Sequence, residues 1–254
     1  MGILAVAGGG ATTTSVALAA GWPGDHPPVL IEADPSGGDL AAWLDVPPEP
    51  CLTDCVARMA AGGDSDLDRI ARSSPGGLRY LPAAPRAVEA ARAVSEAGRG
   101  LVGRLAGAGS TVAIADVGRL DDRALANPFI SAADLILVVH RQSQQSAAAA
   151  AVRLRRLADD VAALGSRAAG RRIVAVVGGR PFGADEIHRM LSDSGDPLPV
   201  IVLPDDALAA AVFGGRAGVS NRRLARLPLS RAGAALASSL AAMLATPHEG
   251  ADGR

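Results

Sequence analysis

The chain of 254 residues contains no lysine, and all 25 of its basic residues are arginine. Aromatics make up only 2%, and there are two cysteines and four histidines. Each shortage narrows the reading. A core poor in aromatics has to be built from small aliphatic side chains, and a hydrophobic fraction of 49%, rich in alanine, is ample for one. Such side chains suit helices laid closely on a parallel sheet. Cys51 and Cys55 stand four apart with no histidine near them, which argues against a zinc site and against a disulfide across one helical turn. Both read as small buried residues. His26, His140, His188 and His248 are scattered. No uncharged apolar stretch of about 18 residues occurs, so no membrane span is expected. The N-terminus runs straight into a strand-like segment without a basic leader, so a signal peptide is not expected and a cytoplasmic location is. A net charge of −1 gives no overall field favouring nucleic acid or acidic lipid.

What the chain has is alternation. Apolar strand-like runs occur at Ile3–Ala7, Val29–Ala33, Leu78–Leu81, Val112–Ala115, Leu135–Val139, Ile173–Val177 and Val200–Leu203. Several are continuous rather than alternating, the mark of strands covered on both faces. Helical stretches lie between them, at Thr12–Ala20, Asp39–Leu44, Leu52–Ala61, Ala87–Leu105, Ser143–Leu164, Asp185–Ser192 and Asp206–Phe213, with a last one at Ser230–Ala245. This order predicts an α/β fold, a doubly wound and mainly parallel sheet flanked by helices. One domain over residues 1–246 and a disordered polar tail over 247–254 are expected.

The first strand leads into Gly8-Gly9-Gly10-Ala11-Thr12-Thr13-Thr14. Strand, glycine turn and helix in that order make a phosphate loop, whose backbone N–H groups face an anion at a helix N-terminus. The usual form ends Gly-Lys-Ser/Thr. Here Thr12 supplies the hydroxyl that would face Mg²⁺, while Ala11 stands where the lysine would be. The competing reading is a plain strand-to-helix turn, since glycine supplies positive φ anywhere, but strand, turn, hydroxyls and helix in the right order favour the phosphate loop. A coding bias against lysine would leave arginine in its place, and the residue is alanine.

Two further strands end in carboxylates: Glu32-Ala33-Asp34-Pro35-Ser36-Gly37-Gly38-Asp39 after the second, and Asp116-Val117-Gly118-Arg119 after the fourth. A carboxylate at a strand end beside a phosphate loop can hold Mg²⁺, directly or through water. Taken singly, each Asp could merely cap a turn or helix. With the glycine loop they form a constellation, and Asp116 is the residue expected to associate with the metal.

These residues resemble the ParA/MinD-like ATPases of the SIMIBI class of P-loop proteins, and more closely their divergent actinobacterial members. The family's loop, Lys-Gly-Gly-x-Gly-Lys-Thr-Thr, lies over Val6-Ala7-Gly8-Gly9-Gly10-Ala11-Thr12-Thr13. The lysine that acts across a dimer on the partner's nucleotide is therefore Val6, and the one that holds phosphate in its own subunit is Ala11. Glu32-Ala33-Asp34-Pro35-Ser36-Gly37 matches the switch segment. The resemblance implies that Asp34 positions the attacking water and that Asp116 is the Walker B-like carboxylate. Tyr80-Leu81-Pro82-Ala83 and Ala133–Val139 match further family strands, and Pro204-Asp205-Asp206 resembles the loop that touches adenine. Where the family reads the base with an asparagine, this chain has Gly178-Gly179-Arg180-Pro181. The implied ligands are ATP and Mg²⁺. The implied nucleotide-binding set is Gly8, Gly9, Gly10, Ala11, Thr12, Thr13, Arg180, Pro204 and Asp205.

A charge-assisted hydrogen bond to phosphate contributes about 1.5–3 kcal/mol, so losing one weakens binding by about 10- to 150-fold. Hydrolysis suffers more, because phosphoryl transfer depends on positioned positive charge. Three functions follow. One is a nucleotide-linked dimeric positioning, partitioning or regulatory factor with weak or absent hydrolysis. Another is a pseudo-ATPase scaffold independent of nucleotide, of the CpaE/TadZ type, for pilus or secretion machinery. The third is an active ATPase in which an arginine, Arg119 or Arg180, replaces lysine. A homodimer and a protein cargo are the implied partners. Arginines cluster at Arg153, Arg155 and Arg156, at Arg167, Arg171 and Arg172, and from Arg216 through Arg222, Arg223 and Arg226 to Arg231. The Arg222/Arg223 region could hold DNA non-specifically or be a solvated face. The last helix is alanine-rich and nearly uncharged, so no membrane insertion is expected from it. Packing in the core or in a dimer seam suits it better.

Overall fold

Most of the apolar runs become strands covered from both sides; the run at Val200–Leu203 lies at the sheet edge and leaves Val202 exposed. In the computed structural model the strands are β1 Ile3–Gly8, β2 Val29–Glu32, β3 Arg72–Ser73, β4 Arg79–Leu81, β5 Ala113–Gly118, β6 Leu135–Arg141, β7 Arg171–Val177 and β8 Val200–Leu203. The helices are α1 Ala11–Ala20, α2 Leu40–Trp43, α3 Leu52–Ala60, α4 Leu67–Ile70, α5 Ala87–Ala97, α6 Leu101–Gly107 and α7 Asp122–Leu125. They continue with α8 Pro128–Ser131, α9 Ala147–Gly165, α10 Ala184–Asp193, α11 Ala207–Phe213, α12 Asn221–Leu224 and α13 Pro228–Ala245. The structure describes residues 2–62, 67–98, 100–107, 111–142, 146–165, 167–168, 170–193, 195 and 197–246. The tail at 247–254 and the first residues of the helix expected from Ser143 lie outside the described residues.

The strands form one sheet in the order β3-β4-β2-β5-β1-β6-β7-β8. Every pairing is parallel except β3 with β4. β1 is central, and the chain leaves it first toward β2 and later toward β6. The carboxyl end of β1 is therefore the topological switch point where such sheets bind ligands.

Alternate residues of β1 serve two cores. Ile3, Ala5 and Ala7 pack on one face with Leu52, Leu101, Phe129, Leu154 and Ile187. Leu4 and Val6 pack on the other with Leu18, Phe213, Leu229 and Leu240. The first face is thus covered by α3, α6, α8, α9 and α10, the second by α1, α11 and α13. A Cβ on Gly21 would come within 2.8 Å of Ala234 Cα, so α1 and α13 approach on glycine and alanine. The last helix packs in the core, as its composition suggested. Among the described residues no helix is long and apolar enough to cross a membrane.

Several boundaries differ from expectation. The single helix expected over Ala87–Leu105 is two, α5 ending at Ala97 and α6 starting at Leu101. Gly98 packs so closely that a Cβ would lie 2.7 Å from Pro128 Cβ, and glycine is a weak helix former. β5 runs on to Gly118, so Asp116 lies within the strand rather than after it, in register with Glu32 and Val6. The four-residue helices α7, α8 and α12 escaped the periodicity reading because caps make them: Asp121, Asn127 and Ser220 accept from first-turn N–H groups. β3 is too short and polar to announce itself. Helix α13 begins at Pro228, which occupies the first turn where no N–H is needed, rather than at Ser230. Cys51 precedes α3 as its N-cap and Cys55 lies within it; both are buried free thiols.

Candidate functional site

β1 ends in Gly8, whose φ is +115° and whose α-carbon lies so near β6 that a Cβ would overlap the Val139 carbonyl. Gly10, at φ +100°, is the left-handed N-cap of α1, and its carbonyl accepts from Thr14 N–H at 3.0 Å. Only glycine serves at both places. Gly9 and Gly10 are exposed, and the N-cap carries no side chain to occupy the first-turn N–H groups of α1. The loop thus has the form of an anion cradle at a helix N-terminus. Thr12 and Thr13 are half-buried. Val6 and Ala11, where the resemblance places lysines, are 0% and 2% exposed and belong to one apolar cluster.

The cradle faces the carboxylates. The Thr12 hydroxyl donates to the Asp116 carboxylate, and Gly118 N–H donates to Asp116 Oδ1 at 3.1 Å. Burial raises Asp116 to about 6 against those two hydrogen bonds, with the neighbouring Asp34 charge adding to the rise. Asp34 follows β2, accepts from Ser36 N–H at 2.7 Å through Oδ1, and rests against Gly118. Asn127 locks the intervening backbone, donating to Ala33 O at 2.8 Å while capping α8.

Glu32 is an anchor. Its Oε1 accepts from Leu40 N–H and its Oε2 from Ala83 N–H, each at 2.9 Å, so one carboxylate ties β2 to the segments after Asp39 and after β4. Burial pushes Glu32 up to about 7, opposed by those two N–H groups and aided by the charges of Asp116 and Asp39. Its carboxylate fills the space over Gly38, where a Cβ would overlap it.

The remaining predicted residues lie along the same edge of the sheet. Asp205, after β8, pairs at 3.0 Å with Arg141 at the end of β6. The Arg141 backbone nitrogen lies 3.8 Å from where a Cβ of Gly9 would be, so this ion pair starts from a residue beside the glycine loop. Asp206 caps α11 through Ala209 N–H and accepts from Leu229 N–H, a structural duty. Arg180 is exposed on the turn after β7. Gln142 clamps that turn: Nε2 donates to Gly178 O and Phe182 O, and Oε1 accepts from Phe182 N–H. Sequence reading missed Gln142, Asn127 and Arg141. The Asn-Pro pair that starts α8 was the signal for Asn127, whereas Gln142 stands in a polar run, residues 140–146, that singles out no member. Arg222 and Arg223 are exposed on α12.

Among the described residues, no group of three or more His, Cys, Asp or Glu side chains could hold a metal alone. A hydroxyl bonded to one buried carboxylate fits a magnesium site that is completed by phosphate oxygens and water.

No family model matches the sequence, and no curated protein matches it either. Solved structures do. A ParA family ATPase from Chlorobium tepidum TLS is similar at TM-score 0.69 and 17% identity, over 94% of this chain and 98% of that one. The MinC:MinD cell division protein complex of Aquifex aeolicus matches at TM-score 0.67 and 16% identity, over 95% and 96%. Cobyrinic acid a,c-diamide synthase from Mycobacterium smegmatis, with bound ATP analog and magnesium, matches at 0.53 and 19%, over 85% and 91%. The eight-stranded, mostly parallel sheet flanked by helices is the ParA/MinD P-loop NTPase fold.

Proposed function

We propose that this chain is a ParA/MinD-like nucleotide-binding protein, a dimeric positioning, partitioning or regulatory factor with weak or absent hydrolysis. One observation carries the reading. The glycine loop, an open helix N-terminus and the Thr12–Asp116 pair converge at the switch point of the sheet, with Asp34 alongside. In this reading Gly8 to Thr13 hold the phosphates of ATP through backbone N–H groups. Arg180, Pro204 and Asp205 lie toward the base and ribose. Thr12 and Asp116 hold Mg²⁺, which when bound neutralises phosphate charge. Asp34 orients water, and its hydrogen bond from Ser36 N–H fixes the carboxylate for that task. The resemblance further suggests a second copy and a protein cargo as partners. Without a lysine at position 11, the glycine loop itself offers the phosphates only backbone dipoles and a bound metal, so hydrolysis should be slow.

Calorimetric titration of the purified chain with ATP in the presence of Mg²⁺ tests this directly. Saturable binding that weakens in Asp116→Ala is expected; no heat at millimolar ATP would overturn it. The buried, apolar character of Val6 and Ala11 favours a second reading, a scaffold that dimerises without nucleotide. Dimerisation unchanged by ATP, measured by light scattering, would select that reading. A third, an active ATPase served by arginine, predicts turnover that Asp34→Ala abolishes.

A further inference from the structure

The glycine loop has a second flank. On the α9 side of the sheet, opposite α1, Gly8 and Gly9 form one wall of a cleft of about 450 Å³. Arg119 after β5, Arg141 at the end of β6, and Arg153 and Arg156 on α9 line the rest, together with His140 and Asp160. Four arginines and Asp160 thus line the cleft, and the charges of Asp159, Asp122 and Asp121 also reach Asp160. Arg141 is engaged by Asp205, and the charge of Arg156 acts on Asp160. Helix α9 buries Leu154, Leu157 and Val161, and this sets Arg153, Arg156 and Asp160, spaced three and four apart, along one edge of its apolar stripe. Burial, and then the charge of Arg153, lower His140 below the usual histidine range. Like charges gathered around one concavity repel one another unless an anion sits among them. Guanidinium groups are the side chains best shaped to grip phosphate oxygens in pairs.

We propose that this cleft is a binding site for a phosphate chain, with Arg119, Arg153 and Arg156 supplying, from the side of the loop opposite α1, the positive charge that Val6 and Ala11 do not. The chain is that of a nucleoside triphosphate, an identity that rests on the nucleotide reading above, or that of free inorganic polyphosphate; the shared chemistry is the row of phosphoryl oxygens laid against Gly8 and Gly9.

The test is calorimetry on the full chain with two probes, ATP in the presence of Mg²⁺ and inorganic tripolyphosphate. It uses the wild type, the Arg153→Gln/Arg156→Gln double variant, and Arg119→Gln as an independent check. All three arginines are exposed, so the fold should survive, as an unchanged melting temperature would show. Affinity in the double variant should fall by about 10-fold or more, and more steeply at low salt. Loss for both probes supports the cleft as the triphosphate site. Loss for tripolyphosphate in a protein that never binds ATP keeps the cleft, assigns it to free polyphosphate, and sinks the nucleotide reading. ATP binding undisturbed by all three substitutions overturns the cleft and leaves the nucleotide reading intact. A wild type that binds neither ATP nor tripolyphosphate overturns both.

Discussion

The Asp34 carboxylate rests on the α-carbon of Gly118, so close that no Cβ could stand between them. The same glycine has φ +77° and donates its N–H to Asp116. One residue at the end of β5 therefore sets the spacing of the two carboxylates. Gly118→Ala has to displace Asp34 and adopt a left-handed backbone, at a cost of about 1–3 kcal/mol. Urea denaturation should show that loss, together with a smaller stabilisation by ATP and Mg²⁺. An unaltered midpoint would mean that Asp34 moves aside freely.

Glu32 makes a different demand. Both of its oxygens accept from buried N–H groups, and an amide can accept on only one side. At pH 5, where the raised Glu32 is mostly protonated and no buried charge is removed, Glu32→Gln should cost about 1–3 kcal/mol, because either Leu40 or Ala83 loses its acceptor. Asp, one methylene shorter, should not span both partners and should cost a comparable amount. If Glu32→Asp denatured at the wild-type midpoint, the carboxylate would not be the tie described.

How much of this was legible beforehand follows from range. The strands were readable because continuous Val, Ile, Leu and Ala runs signal burial on both faces, and β1 does serve two cores. The glycine loop and the carboxylates were readable because each is a local motif at a strand end. The reach of Glu32 to Ala83, the clamp of Gln142 on Phe182, and the gathering of Arg119, Arg153 and Arg156 beside Gly8 were not. Each joins segments far apart in the chain, and only the order of the strands brings them together. The break at Gly98 was hidden for a similar reason: its cause includes Pro128, on another helix.

The pH dependence of stability follows from the two raised carboxylates. Burial lifts Asp116 from 3.8 to about 6 and Glu32 from 4.5 to about 7. Between the lower and upper values the folded protein binds more protons than the unfolded chain, so stability falls as pH rises through that window and levels off above about pH 7. Asp116→Asn removes one buried charge while keeping an oxygen for Gly118 N–H. It should stabilise the ligand-free protein at pH 8 by up to roughly 3 kcal/mol, with little effect at pH 4, and should abolish the added stability from ATP with Mg²⁺. Equal stability of variant and wild type at pH 8 would contradict the desolvation of Asp116.

The strongest prediction adds a function rather than removing one. Ala11 opens helix α1, 2% exposed, beside the exposed Gly9 and Gly10. A lysine there has either to lie in the apolar cluster, which is costly for an ammonium group, or to turn out over the loop toward an anion. Ala11→Lys should therefore lower the melting temperature of the ligand-free protein and tighten ATP binding by about 10- to 150-fold, the worth of one charge-assisted phosphate contact. The gain should appear equally with tripolyphosphate, because the lysine reads phosphate and not base. A lysine variant that folds and binds neither probe more tightly would mean that the glycine loop does not hold phosphate, whatever its shape.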